Sequence, residues 1–245
     1  MNFICPIVLL YAYYPNVISA FLYDPSLPFI ERKSSLGNKE AEKPLFLTPI
    51  INAGKLNEAR NRSRVVPLLD NIESYTGFLT VNKSAGSHLF FWYVPKTGIH
   101  NATAPLILWL NGGPGASSLF GLFHENGPLL VTQSYGLQKR DHAWTNHYHM
   151  LYIDQPVGTG FSFSESAEYI GTQTQVGEHL YEALVQFYKI FSELQNHDLY
   201  IAGQSYAGKY VPAIGYKIHT TSQRPHVPKI PLLSLIHISE PTRPY

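Results

Sequence analysis

Cysteine is nearly absent from this 245-residue chain, and the single one, Cys5, lies in the first apolar segment. With that segment removed, the remainder has no disulfide of its own, no thiol nucleophile and no cysteine-based metal site. Concentrated charge is missing too. The 18 basic and 17 acidic residues leave a formal net charge of +1 without a basic cluster, which argues against nucleic acid or an anionic membrane as a partner. A membrane-length apolar run is also lacking, because Pro6 and Pro15 interrupt the first one and leave it short for a span. His142, His147 and His149 surround Trp144 without placing ligands on one helix face, so neither a metal nor a cofactor is expected.

What is present is apolar material, 44% of the residues, ample for the core of one large α/β domain. Residues Met1 to about Ala20 carry an apolar stretch from Phe3 to Tyr13 and end in Val17-Ile-Ser-Ala20. That pattern is read as a secretory signal peptide over 1–20, although no Lys or Arg opens it, and it predicts a secreted or lysosomal location. Three glycan acceptor triplets, at Asn61, Asn82 and Asn101, fit that route. Residues 21–43 are polar and turn-rich and read as a leader or irregular arm. The Lys55, Arg60, Arg62 and Arg64 group that follows reads as a solvated face.

From residue 76 the pattern changes. Thr76 to Asn82 alternates around Phe78 and Val81, Ser84-Ala-Gly86 signals a turn, and His88 to Val94 is aromatic-rich, which predicts a hairpin. Pro105 to Leu110 and Met150 to Asp154 are continuous apolar runs of the kind found in parallel strands covered on both faces. Val176, Leu180, Leu184, Phe187 and Phe191 form one helical stripe over about 174–191. Strands alternating with helices give a mixed, mostly parallel sheet with flanking helices, whose chemistry collects at the carboxyl ends of the strands. At such an end stands Gly203-Gln-Ser-Tyr-Ala-Gly208, between a short apolar run and a segment of helical spacing. Strand, sharp turn and helix around G-x-S-x-G is the setting of a nucleophilic serine, since small neighbours let the backbone bend and expose Oγ. Asp154 precedes the serine, against the Ser, Asp, His order of this arrangement, and reads as structural.

Three segments, Trp109-Leu-Asn-Gly-Gly-Pro-Gly-Ala-Ser-Ser118, Asp154-Gln-Pro-Val-Gly-Thr-Gly-Phe-Ser162 and Gly203-Gln-Ser-Tyr-Ala-Gly-Lys-Tyr-Val-Pro212, resemble the serine carboxypeptidases of the α/β-hydrolase fold, closest to their vitellogenic-like branch. The resemblance runs from about Pro44 to about His219 and covers the N-terminal part of a catalytic domain, 44–230. It implies that Ser205 is the acylating nucleophile and that the backbone N–H groups of Gly113 and Tyr206 form the oxyanion hole. It also implies that Asn111, Gly112, Glu125 and position 204, with Trp109 beside them, hold the free α-carboxylate of a peptide or protein substrate. Position 204 departs from the family pattern, with Gln204 where relatives have glutamate, and Ala116 stands where many have cysteine.

Downstream of Ser205 no aspartate occurs, and His219, His226 and His237 lack the family's glycine-histidine setting. The expectation is that the C-terminal half, with the triad acid and base, is missing and that this chain is an inactive fragment. Ser234 to Tyr245 resembles translated sequencing-adaptor DNA, so 231–245 reads as a non-native tail. Two alternatives remain: a carboxypeptidase-like acyltransferase or esterase, and an inactive secreted binding glycoprotein.

Overall fold

The structure is a computed structural model that describes residues 44–69, 72–98, 103–132, 136–166, 169–222 and 229–238. The signal-peptide and leader readings, Cys5, Asn101 and His226 lie outside the described residues.

Two short helices come first, α1 (Thr48–Asn52) and α2 (Leu56–Ser63). The sequence reading predicts no helix in this segment and takes its basic residues as a solvated face. Its order comes from tertiary contact. Arg60 lies over the rings of Tyr75 and Phe191, 5.7 and 5.0 Å from their centroids, and pairs with Glu193 at 2.7 Å. Arg60 is therefore a half-buried strut and not part of a solvated face, while Lys55, Arg62 and Arg64 are exposed. Nearby carboxylate and phenol groups raise its pKa, although burial, the largest single influence, acts in the opposite direction.

The sheet follows. Strand β1 (Tyr75–Asn82) pairs antiparallel with β2 (Ser87–Val94) around the expected turn. The central strands β3 (Leu106–Leu110) and β6 (His149–Ile153) are buried at every position. Between them lie a π-helical turn at Gly121–Glu125 and a small hairpin of β4 (Leu129–Val131) and β5 (Leu137–Lys139). The two-residue β7 (Phe163–Ser164) pairs with the start of β2. Helix α3 (Gln173–Ile190) is capped by the Thr172 hydroxyl, which accepts from the Gln175 amide. Strand β8 (Leu199–Gln204), helix α4 (Ala207–Ser222) and strand β9 (Leu232–Ile238) complete the described fold. The sheet order is β1-β2-β6-β3-β8-β9, antiparallel through β2–β6 and parallel from β6 to β9.

Pleating sends alternate residues of β3 to opposite faces. Leu106, Leu108 and Leu110 join Leu180, Leu184 and Phe187 of α3 and Val211 and Ile214 of α4 in one core. Ile107 and Trp109 face a smaller core with Leu119, Leu122, Tyr152 and Ala202. Helices α3 and α4 cross closely, for a Cβ on Gly177 would lie 2.7 Å from the Ala213 carbonyl oxygen. Strand β9 adds parallel backbone pairing to β8, yet Leu233, Leu235, Ile236 and Ile238 remain exposed. Parallel β3 and β8 end side by side, Leu110 opposite Gly203, and that shared end carries the residues of interest.

Candidate active site

Ser205 is the one non-glycine among the described residues with positive φ, at 57°. Left-handed backbone costs an L-residue about 1–2 kcal/mol, so the conformation persists only because its neighbours enforce it. Gly203 is one such neighbour: a Cβ there would sit 2.6 Å from Ala207 Cβ and 2.7 Å from the Leu110 carbonyl oxygen. Without side chains in that gap, β8 turns directly into α4 and the serine side chain is left exposed at the bend.

The glycine-rich loop after β3 meets this bend. A Cβ on Gly112 would lie 2.6 Å from the Tyr206 amide nitrogen and 3.1 Å from Ser205 Cβ, so only a bare backbone fits. Gly113 follows at φ 106° and is exposed. The two N–H groups expected to bind an oxyanion, those of Gly113 and Tyr206, thus belong to segments that touch beside the serine. The Tyr206 ring carries Lys209 Nζ 4.9 Å from its centroid and meets Tyr210 edge-on at 5.2 Å. Burial pushes the Tyr210 phenol up to about 12.

A second group of residues lies alongside. Gln204 donates its side-chain amide to Glu125 Oε1, and Asn111 Nδ2 donates to Glu125 Oε2 at 3.4 Å. Trp109 Nε1 in turn donates to Asn111 Oδ1 at 2.7 Å, which fixes the Asn111 amide with its NH2 toward Glu125. The π-helical turn brings Glu125 into range because Gly121 lets it pack against Trp109 and Asn111, where a Cβ would stand 3.0 Å from Asn111 Oδ1. All five residues singled out from the sequence for holding a carboxylate, Trp109, Asn111, Gly112, Glu125 and Gln204, are therefore linked in one connected group by hydrogen bonds and backbone contact.

No imidazole or carboxylate among the described residues bonds the Ser205 hydroxyl. His237 of β9 donates Nε2–H to the Ser205 backbone carbonyl at 2.9 Å, not to its side chain. His219 is exposed on α4. Of the acceptor asparagines, Asn61 is exposed within α2, next to a buried Ser63 whose hydroxyl bonds the Arg60 carbonyl. Asn82 Oδ1 accepts from the Ser84 hydroxyl and from the Ser84 and Ala85 amides.

Sequence reasoning missed the connectivity of Asp154. This carboxylate is fully buried and accepts from the Ser117 hydroxyl at 2.6 Å, the Ser118 amide at 2.9 Å and the Phe161 amide at 3.0 Å. The signal available was its place at the end of an apolar strand, facing the serine-containing loop after β3.

A strained serine between a parallel strand and a helix, beside a glycine loop from the neighbouring strand, defines the α/β-hydrolase fold. Residues 67–241 match the family model described as serine carboxypeptidase. The chain belongs to the serine carboxypeptidase family. It is 49% identical over 190 residues to a vitellogenic carboxypeptidase of Aedes aegypti, covering 77% of this chain and 40% of that protein. To a probable serine carboxypeptidase CPVL of Pongo abelii it is 53% identical over 183 residues, 74% of this chain and 38% of the relative. The chain thus spans about two fifths of the length of these relatives. Among solved structures, a prohormone-processing carboxypeptidase Kex1 from Saccharomyces cerevisiae superposes with a TM-score of 0.66 at 26% identity, over 73% of this chain and 43% of that one.

Proposed function

We propose that the parent protein is a serine carboxypeptidase that releases C-terminal amino acids from peptides through an acyl-enzyme on Ser205. The observation that carries this reading is the juxtaposition of the strained Ser205 with the Asn111–Glu125–Gln204 group. Ser205 attacks the last peptide carbonyl, and the Gly113 and Tyr206 amides receive the oxyanion. The Asn111 and Gln204 amides and the Gly112 backbone take the substrate's terminal carboxylate, a group that an endopeptidase has no need to recognise.

A serine hydroxyl requires a base, and a base requires an orienting acid. Neither bonds Ser205 among the described residues, and on the proposed reading the triad Asp and His belong to the part of the parent enzyme that these residues do not include, without which the fragment is inactive. The apolar N-terminal run and the acceptor triplets support passage through the secretory pathway. No described helix is long and apolar enough to cross a membrane.

The test is release of free amino acids from N-blocked dipeptides by the protein encoded by the transcript extended beyond Lys229. Activity that disappears in Ser205→Ala and requires a free C-terminus supports the reading. Turnover of simple esters with no release from blocked dipeptides favours the esterase or acyltransferase alternative, for which Gln204 leaves room. A stop codon directly after Tyr245 excludes the truncation and favours an inactive glycoprotein.

A further inference from the structure

Asp154 is a buried carboxylate that the proposed chemistry does not use. Removing such a group from water costs several kcal/mol unless donors surround it. Here they come from two separate loops. Ser117 Oγ and the Ser118 amide, on the loop after β3, both address Oδ1, and the Phe161 amide, on the loop after β6, addresses Oδ2. The latter loop wraps the carboxylate so tightly that a Cβ on Gly160 would run into it. Its exit is tied as well, since Ser162 Oγ donates to the Asp154 carbonyl at 2.6 Å and accepts from the Phe90 amide of β2 at 2.8 Å.

The first of these loops leads to the oxyanion side of the site. Ser118, held by Asp154 through its amide, uses its hydroxyl to accept the Asn111 amide at 3.2 Å. Asn111 directly precedes Gly112 and Gly113. One carboxylate is thereby connected, through a single serine, to the backbone that lies against the Ser205 turn. An apolar side chain could fill the same volume, but it could not accept from Ser117, Ser118 and Phe161 at once, nor fix the angle at which their loops leave the sheet.

We propose that Asp154 is a positioning residue of the oxyanion hole, setting the Gly113 N–H against Ser205 through Ser118 and Asn111. This inference rests on the carboxypeptidase reading for the role of that N–H. A displacement of about 1 Å at such a donor lowers turnover on the order of 10²-fold, whereas the Asn111 side chain, held separately by Trp109 and Glu125, follows its backbone less, so that KM changes less than kcat.

The experiment compares Asp154→Asn and Ser118→Ala with wild type in the full-length parent, measuring kcat and KM on a blocked dipeptide and the rate of Ser205 labelling by a fluorophosphonate. The expected result is a fall in kcat and in labelling on the order of 10²-fold for Asp154→Asn and about tenfold for Ser118→Ala, with KM changed by a smaller factor than kcat. Unchanged kcat in folded Asp154→Asn overturns the proposal, as does a loss that merely tracks the folded fraction or appears only in KM. If Asp154→Asn does not fold, Ser118→Ala decides, and wild-type kcat in that variant overturns the proposal. A wild type that neither labels at Ser205 nor releases amino acids removes the carboxypeptidase reading itself, and this proposal with it. Active wild type with unaffected variants removes the proposal alone.

Discussion

Gln204 and Glu125, 79 residues apart in sequence, meet side chain to side chain, with the amide donating to the carboxylate. An amide donor is permanent, whereas two facing carboxyl groups bind a carboxylate only while they share a proton. The native pair should therefore hold a substrate's terminus over a wider pH range. KM of the full-length parent is expected to stay nearly flat from about pH 5 to about pH 7, and KM of Gln204→Glu to rise over the same span. Parallel KM profiles for the two proteins would remove this account of the pair.

Gly112 touches the Tyr206 amide nitrogen so closely that even a methyl group has no room. Gly112→Ala should push the glycine loop off the serine turn, destabilising the fold by about 1–3 kcal/mol and lowering kcat on the order of 10²-fold. Denaturant midpoints and kcat measured side by side check both parts. Full turnover in a folded Gly112→Ala protein would show that the loop does not serve the reaction from this position.

The strain at Ser205 makes a prediction that needs no catalysis. At φ 57°, Ser205→Gly relieves a conformational cost that Ser205→Ala retains, so the glycine variant should be more stable than the alanine variant by about 1 kcal/mol. Urea unfolding of the two variants measures the difference. A more stable alanine variant would contradict the enforced backbone geometry.

His88 ties stability to pH. It is buried between the rings of Phe46 and Phe163, with Nδ1 3.1 Å from Thr80 Oγ1 and Nε2 3.6 Å from the Glu165 carboxylate. Burial lowers its pKa below the ordinary 6.5, and Glu165 opposes this only in part. A depressed folded value means that the unfolded chain takes the proton first, so stability is present above pH 6.5 and is lost as pH falls through the folded pKa. Burial depresses His179 in the same direction. Unfolding free energies measured across this range should fall toward acid pH, and His88→Gln should flatten part of the slope. An identical slope in the variant would reassign the effect elsewhere.

The central sheet and its two long helices were legible because their information is local. Pro105 to Leu110 and Met150 to Asp154 read as continuous apolar runs, and the strands that form there, Leu106–Leu110 and His149–Ile153, are buried at every position, while the α3 stripe repeats with helical spacing. Helix α2, Leu-Asn-Glu-Ala-Arg-Asn-Arg-Ser, has no such pattern and depends on Arg60 reaching Tyr75, Phe191 and Glu193. The π-helical turn was equally hidden, since it depends on Gly121 packing under Trp109. At the site, the turn around Ser205 could be read from its glycines and the grouping of Gln204 with Glu125 only through the family resemblance, while the partners of Asp154 come from other segments. A contact across 79 or 37 residues leaves no periodicity to read. Strand β9 shows the converse: pairing with β8 is made by backbone groups, which any extended apolar run can supply.

The left-handed serine also has an evolutionary consequence. On the proposed reading of Ser205 as nucleophile, selection for stability and selection for turnover pull in opposite directions at this position, because glycine would relax the backbone. A descendant released from catalysis, kept for instance as a secreted binding protein, would drift there toward glycine or asparagine, both at home in that conformation. On that reading, a glycine or asparagine at this position marks a relative released from turnover.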